Sequence, residues 1–243
     1  VLKTYKADLH VHTCLSPCTE LDMSPRRIVN QAKTERIDLI GICDHNSSEN
    51  SRAVMQVGKS LDIQVIPGME VTSQEEAHVL ALFDELGNAL QLQEYIYRHL
   101  PGENDEEAFG RQVVMNEYDE VLKHSDKLLI GATTLSLENI IGSIHRFNGI
   151  AIASHIDRES FSIISQLGFI PEDLELDAVE VSPHMTIEDA GKKYPGRHPI
   201  ISSSDAHYPE DIGNAFTAFI MENGTVAEIK MALNNEKGRR IIH

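Results

Sequence analysis

The histidines and carboxylates of this 243-residue chain gather beside its apolar runs, where they could hold metal ions. In Asp8-Leu9-His10-Val11-His12 the two histidines alternate on a predicted strand, and the two-residue period turns both imidazoles to one face as a usable chelate. Asp44-His45-Asn46 follows the run Leu39-Ile40-Gly41-Ile42-Cys43. Glu70 follows Val65-Ile66-Pro67-Gly68-Met69, where a carboxylate could bridge two cations. His155 ends the run from Ile150 to Ser154, and Asp205-Ala206-His207 ends the run from Ile200 to Ser204. His78 departs from this rule because it precedes its apolar run, so its position predicts a stretch that folds back as a hairpin. Side chains drawn from the ends of several strands are what a shared metal centre in a barrel enzyme requires.

Short apolar runs alternate with amphipathic stretches along the whole chain, which predicts βα units and a largely parallel sheet. Strands are expected at 7–12, 39–44, 64–69, 79–83, 150–155, 178–181, 200–204 and 218–221, enough for a closed or nearly closed barrel. Ser24-Pro25 reads as an N-cap followed by proline at the first helical position, opening a helix to about Glu35. Further helices are expected at 49–60, 137–147 and 226–234. The chain reads as a single domain over 1–243 with an elaborated connection at about 85–134. That connection contains the polar breaker cluster Pro101-Gly102-Glu103-Asn104-Asp105-Glu106-Glu107 and reads either as a lid or as a solvated acidic loop.

Composition narrows the function classes. With 41% hydrophobic and 24% charged residues the chain is of ordinary globular type. The formal net charge is −17, from 38 acidic and 21 basic side chains, which disfavours electrostatically driven binding to duplex nucleic acid. The absence of tryptophan argues against a base-stacking platform. No run reaches the length of a membrane helix, residues 1–5 lack the apolar core of a signal peptide, and three cysteines do not make a disulfide framework. The expectation is a cytoplasmic protein without membrane contact.

Taken in order, Asp8-Leu9-His10-Val11-His12, Asp44-His45-Asn46, Pro67-Gly68-Met69-Glu70, Ser154-His155 and Ser204-Asp205-Ala206-His207 resemble the successive motifs of the polymerase and histidinol phosphatase (PHP) superfamily. The resemblance implies an α/β fold, a distorted (β/α)7 barrel, with two or three divalent metal ions and hydrolysis of phosphate esters. By the family's pattern, His10, His12, Glu70 and Asp205 would hold one cation, and Glu70, His78 and His155 a second. A third would lie between His45, His207 and a residue shortly after the first motif, where this chain offers Cys18 in place of the histidine or aspartate of many relatives. A thiolate there would bias the site toward zinc or iron over manganese or magnesium. Cys14 and Cys43 read as packing residues.

Bridged cations would activate a water for attack on phosphorus, so no side-chain nucleophile is expected. His45 or His207 could protonate the leaving oxygen or position the water. Arg158, three residues after His155, could clamp a substrate phosphate, and His184 could face the barrel mouth. The reading is a metal-dependent phosphoesterase for a small phosphate ester or nucleotide. Its alternatives are a metal-dependent nuclease, a non-catalytic metal-binding regulatory module and an amidohydrolase-type metal hydrolase.

Overall fold

All eight expected strands form in the computed structural model, which describes residues 1–242. The first half of the chain runs β1 (Lys3–Val11), α1 (Pro25–Thr34), β2 (Leu39–Ile42), α2 (Ser51–Leu61), β3 (Gln64–Thr72), β4 (His78–Leu82) and α3 (Leu86–His99). A short α4 (Glu106–Phe109) leads into β5 (Val113–Met115) and β6 (Val121–His124), which pair only with each other among the described residues. Then come α5 (Leu137–Arg146), β7 (Ile150–Ala153), α6 (Ile163–Leu167), β8 (Ala178–Val181), α7 (Ile187–Lys193), β9 (Ile200–Ser202), β10 (Thr217–Met221), α8 (Val226–Leu233) and β11 (Arg240–Ile242).

The main sheet has the order β11-β10-β1-β2-β3-β4-β7-β8-β9. Strands β1 to β3 are parallel, as are β7 to β9, while β4 runs antiparallel between β3 and β7. This is the hairpin that the place of His78 predicts. Strand β1 serves two neighbours along one edge: Lys3 to Ala7 pair with β10, and Val11 bridges in parallel to Ala206, just beyond β9. His12 N–H donates to the Ala206 carbonyl (3.0 Å), and Ala206 N–H donates to that of His10 (3.1 Å). The continuation of β9 is thereby joined to β1, and seven strands make a distorted barrel with β10 and β11 appended. Thr217 Oγ adds a stitch, accepting from Ser202 N–H and donating to its carbonyl, each at 2.9 Å.

Apolar side chains close one end of the barrel. Ala7, Leu39, Ile66, Ile150 and Ala178, near the starts of the parallel strands, pack with Phe219 and Met221 and with Val226, Ile229, Ala232 and Leu233 of α8. Burying each large aliphatic side chain contributes about 1.5–3 kcal/mol. The opposite end, where the parallel strands finish, is left to polar residues. Strand β2 stops at Ile42, two residues short of the predicted run, so Asp44 and His45 belong to the connection that follows.

The connection between β4 and α5 is docked against the barrel. Ser24 N-caps α1 as expected, but its hydroxyl donates to Asp119 of the β5–β6 turn (2.9 Å), and the same carboxylate accepts from Arg26 N–H (3.0 Å). Asn50 of the β2–α2 connection donates to the Val113 carbonyl (3.0 Å) and accepts from Met115 N–H (2.9 Å), while Asn46 donates to the carbonyls of Leu129 (2.8 Å) and Gly131 (2.9 Å). The segment therefore buttresses the connections that carry the polar end of the barrel. The breaker cluster at 101–107 itself is largely solvent-exposed, as a solvated acidic loop requires, while these bonds hold the rest of the connection in place.

Candidate metal centre

Glu70 lies at the middle of the polar end, almost wholly buried, on the face of β3 that looks into the barrel. In the β3–β4 register Thr72 opposes His78 and Glu70 opposes Leu80, and directly opposed antiparallel residues share a face. Strand β1 and the segments just beyond β2 and β7 bring further rings to the same carboxylate. Glu70 Oε1 stands 3.0 Å from His78 Nδ1, 3.3 Å from His155 Nε2 and 3.4 Å from His10 Nε2. Its Oε2 stands 3.2 Å from His45 Nδ1 and 3.6 Å from His12 Nε2. Asp205 completes the cluster, with Oδ1 at 3.1 Å from His12 Nε2 and 3.2 Å from His10 Nε2. His207 is held at the rim, its Nδ1–H donating to the Asp205 carbonyl (2.8 Å), which leaves Nε2 for the pocket.

Several of these rings are oriented from behind. His10 Nδ1–H donates to Glu180 (2.9 Å) and His12 Nδ1–H to the Ser16 hydroxyl (3.0 Å), which in turn donates to Asp44 (2.7 Å). With both protons on Nδ1, the Nε2 lone pairs of His10 and His12 face each other at 3.1 Å beside a carboxylate. That arrangement is repulsive unless a cation or a proton stands between them. Glu70 Oε1, His45 Nδ1 and His78 Nδ1 are buried and have no hydrogen-bond partner despite their closeness, because their contacts lack hydrogen-bond geometry. Donor atoms that converge without bonding one another are what metal ligands look like. Three overlapping groups could each hold an ion: His10, His12 and Asp205; His45, Glu70 and His78; and His12, Cys18, His45 and His207.

Charge follows the geometry. Burial opposes protonation of His10, but Asp205, Glu180 and Glu70 outweigh it and raise the ring well above the usual imidazole range. Burial and then the neighbouring His207 lower His12 to about 4, and burial followed by His12 holds His45 well below its ordinary value. Burial would raise Glu70 and Asp205, yet the surrounding histidines, His78 and His10 for Glu70 and His10 and His12 for Asp205, keep both depressed. His12 and His45 thus stand ready as neutral ligands near neutral pH.

Two aspartates of the sequence motifs serve the backbone instead of the pocket. Asp8 accepts from Ser204 N–H (3.0 Å), Ser204 Oγ–H (2.6 Å) and Gly213 N–H (2.9 Å), pinning the segment that presents Asp205. Asp44 accepts from Thr13 N–H (2.7 Å), Thr13 Oγ–H (2.8 Å) and Ser16. Burial raises each to about 6 against the pull of these bonds. His155 (φ 27°) and Asp205 (φ 51°) sit in the left-handed region that side chains beyond glycine seldom adopt, a strain commonly stored at functional sites.

The other expected residues divide. Cys18 is exposed at the pocket mouth, whereas Cys14 and Cys43 are buried as packing residues. Arg158 lines the pocket with Nη1 at 2.5 Å from Asp205 Oδ2. Cys18, Ile130, Arg158, Ser160 and Phe161 edge a cavity of about 160 Å³ over the histidines. His184 is exposed on the turn after β8, with its N–H on Ser182 Oγ (3.3 Å), and does not line that cavity. Sequence reasoning missed Ser16 and Glu180. A serine four residues after His12 carried a weak signal, and a lone glutamate inside the apolar run Ala178-Val179-Glu180-Val181 a stronger one.

Comparison with known proteins gives the family and the fold. The family model of the PHP domain matches residues 8–170, and that of a PHP-associated region matches residues 197–237. Among solved structures, the lesion-specific endonuclease Q of Pyrococcus furiosus is similar at a TM-score of 0.72 and 18% identity, over 98% of this chain and 58% of that one. An endonuclease Q complex with a 27-mer duplex bearing an abasic lesion at the active site gives 0.69 and 18%, with the same coverage. A Bifidobacterium adolescentis protein predicted to be a metal-dependent phosphoesterase gives 0.58 and 16%, over 95% of this chain and 96% of that one. The chain thus spans a little over half the length of the endonucleases and nearly all of the third. No helix among the described residues is long and apolar enough to cross a membrane.

Proposed function

Because the chain belongs to the PHP domain family, we propose that it is a metal-dependent hydrolase that cleaves a small phosphate ester or nucleotide with a metal-activated water. The observation that carries this reading is Glu70, one buried carboxylate with ring nitrogens from five histidines within 3.6 Å. His10, His12, Glu70 and Asp205 would hold one cation and Glu70, His78 and His155 a second. A third would be held by His45, His207 and Cys18, and the thiol favours zinc or iron. Bound there, divalent cations polarise phosphoryl oxygens, lower the pKa of water and neutralise charge on the leaving oxygen.

The chain's own groups supply the rest. Arg158 reaches Asp205 with one nitrogen, and its planar fork carries further donors to receive phosphate oxygens at the rim. When no third cation occupies its Nε2, a His207 ring held by its Nδ1–H on the Asp205 carbonyl and protonated also on Nε2 could hand that second proton to the leaving oxygen. Phe161 and Ile130 give the mouth an apolar lip, and the narrow cavity receives the phosphoryl group and keeps bulk water from it.

A nuclease is the second reading, favoured by the shared fold with an endonuclease whose complex holds duplex DNA at its active site. The net charge of −17 loses its force against duplex substrates for that reason: it describes the whole chain, and the field at one cation-filled cleft is set locally. The test is elemental analysis of purified protein reloaded with Mn²⁺, Zn²⁺ or Fe²⁺, paired with phosphate release from monoesters and nucleotides and with cleavage of labelled oligonucleotides. Two or three ions per chain with turnover are expected, lost in His12→Ala and Asp205→Ala variants that still unfold cooperatively. Full activity in both variants would refute the site. Stoichiometric metal without turnover on any of these substrates would favour a regulatory module.

A further inference from the structure

Glu180 is the one carboxylate at the centre that the family-pattern ligand sets leave out. It lies in β8, buried at 1% exposure, deep in an otherwise apolar strand. A carboxylate so placed is costly unless it is bonded. Glu180 Oε1 accepts from His10 Nδ1–H at 2.9 Å and from the backbone N–H of His155 at 3.2 Å. Its own carbonyl accepts from Ile156 N–H at 2.8 Å. One residue therefore holds both a ring on β1 and the backbone at the end of β7, and these belong to the two different ligand sets around Glu70.

We propose that Glu180 is the positioning residue that couples the two halves of the metal centre, fixing the proton of His10 on Nδ1 and holding the His155 backbone in its left-handed conformation. The inference rests on the metal-centre reading given above. Its first part follows from chemistry: a carboxylate oxygen only accepts, so the proton shared with it belongs to Nδ1 and the lone pair of Nε2 faces Asp205 and Glu70. The second follows from strain. His155 has φ 27°, a conformation that persists only when its surroundings impose it. Here Glu180 clamps the N–H of His155 from the side chain and that of Ile156 from the backbone, while the Ser154 N–H is tied to the His78 carbonyl at 3.1 Å. Glu180 also adds a third buried carboxylate to Glu70 and Asp205, and its Oε2 has no hydrogen-bond partner, so cations held at the centre would add to the charge that balances it.

The experiment uses the whole chain and Zn²⁺ as probe. Zinc affinity is measured by dialysis against a chelator buffer for wild type, Glu180→Gln and Glu180→Leu, with unfolding of each metal-free protein and ring ¹H–¹⁵N spectra of the zinc-loaded wild type. The amide oxygen of glutamine still accepts from both donors, so Glu180→Gln should lose less than about 10-fold in affinity. Leucine fills the space without an acceptor and should lose about 10–100-fold, the usual effect of removing a ligand's outer partner. The wild-type spectrum should show the His10 proton on Nδ1, protected from exchange. Wild-type affinity in a cooperatively folded Glu180→Leu protein would overturn the inference alone. Should the leucine variant fail to fold, a wild-type His10 proton found on Nε2 would overturn it as well. Wild-type protein that takes up no zinc would overturn the metal-centre reading first, and this inference with it.

Discussion

Replacing Ser16 by alanine removes a single oxygen atom from the polar end of the barrel, and the structure gives its consequences. The Ser16 hydroxyl is fully buried, donates to Asp44 Oδ1 at 2.7 Å, and accepts from His12 Nδ1–H at 3.0 Å and from His45 N–H at 3.2 Å. Truncation leaves Asp44 Oδ1 its bond from Thr13 N–H but strands two buried donors, one on each of two predicted ligands. A stranded buried donor costs about 1–3 kcal/mol, so two should destabilise the metal-free protein by roughly 2–6 kcal/mol. At about 2–4 °C per kcal/mol in a chain of this length, the melting temperature should fall by at least roughly 4 °C. Freed from its partner, the His12 ring loses its orientation, and metal affinity should fall about 10–100-fold. Urea unfolding of metal-free protein reads the first effect and dialysis against buffered zinc the second. Ser60→Ala, which removes an exposed hydroxyl bonded to the Val57 carbonyl on α2, is the control and should change stability by less than about 0.5 kcal/mol. A Ser16→Ala protein indistinguishable from that control in both measurements would refute the argument that this hydroxyl orients His12.

Metal binding should release protons. His10 is raised well above the usual imidazole value by Asp205, Glu180 and Glu70 and is therefore protonated at pH 7 without metal, so a cation at its Nε2 must displace that proton. Affinity then rises with pH until His10 deprotonates, and calorimetric titrations in buffers of different ionisation enthalpy should report at least one proton released; equal heats in all buffers would contradict this. Gly68→Ala tests the frame under Glu70. A methyl group there would overlap the Ala81 carbonyl oxygen and stand 2.8 Å from Leu82 Cδ2, forcing β3 and β4 apart two residues before Glu70. The expected loss is about 1–3 kcal/mol in thermal unfolding together with weaker zinc binding, and a wild-type melting curve would count against it.

The extent to which the centre was legible in the sequence depends on which force placed each residue. Strands and helices follow from local periodicity, and all eight predicted strands form, with ends misplaced by a few residues because strand ends depend on pairing. The fold brings the predicted ligands His10, His12, His45, Glu70, His78, His155, Asp205 and His207 together, and they were legible because metal-binding types beside apolar runs are conspicuous in sequence. Ser16 and Glu180 carried a signal in the sequence but not their role, since a serine in a loop and a glutamate in an apolar strand acquire that role only from what faces them across the fold. The same holds for Asp119, whose bonds to the start of α1 join positions about 95 residues apart and have no local signature.

By itself, then, the sequence determined the alternation of strands and helices, the residue types that can bind metal and their order along the chain, because these depend on near neighbours and on side-chain chemistry alone. Tertiary structure decided the Val11–Ala206 contact that closes seven strands, the docking of the 85–134 connection, and which nitrogen of His10 and His12 faces the pocket. Each of these depends on a partner brought from far along the chain, and the hydrogen bonds that choose a proton's position exist only once the barrel has closed.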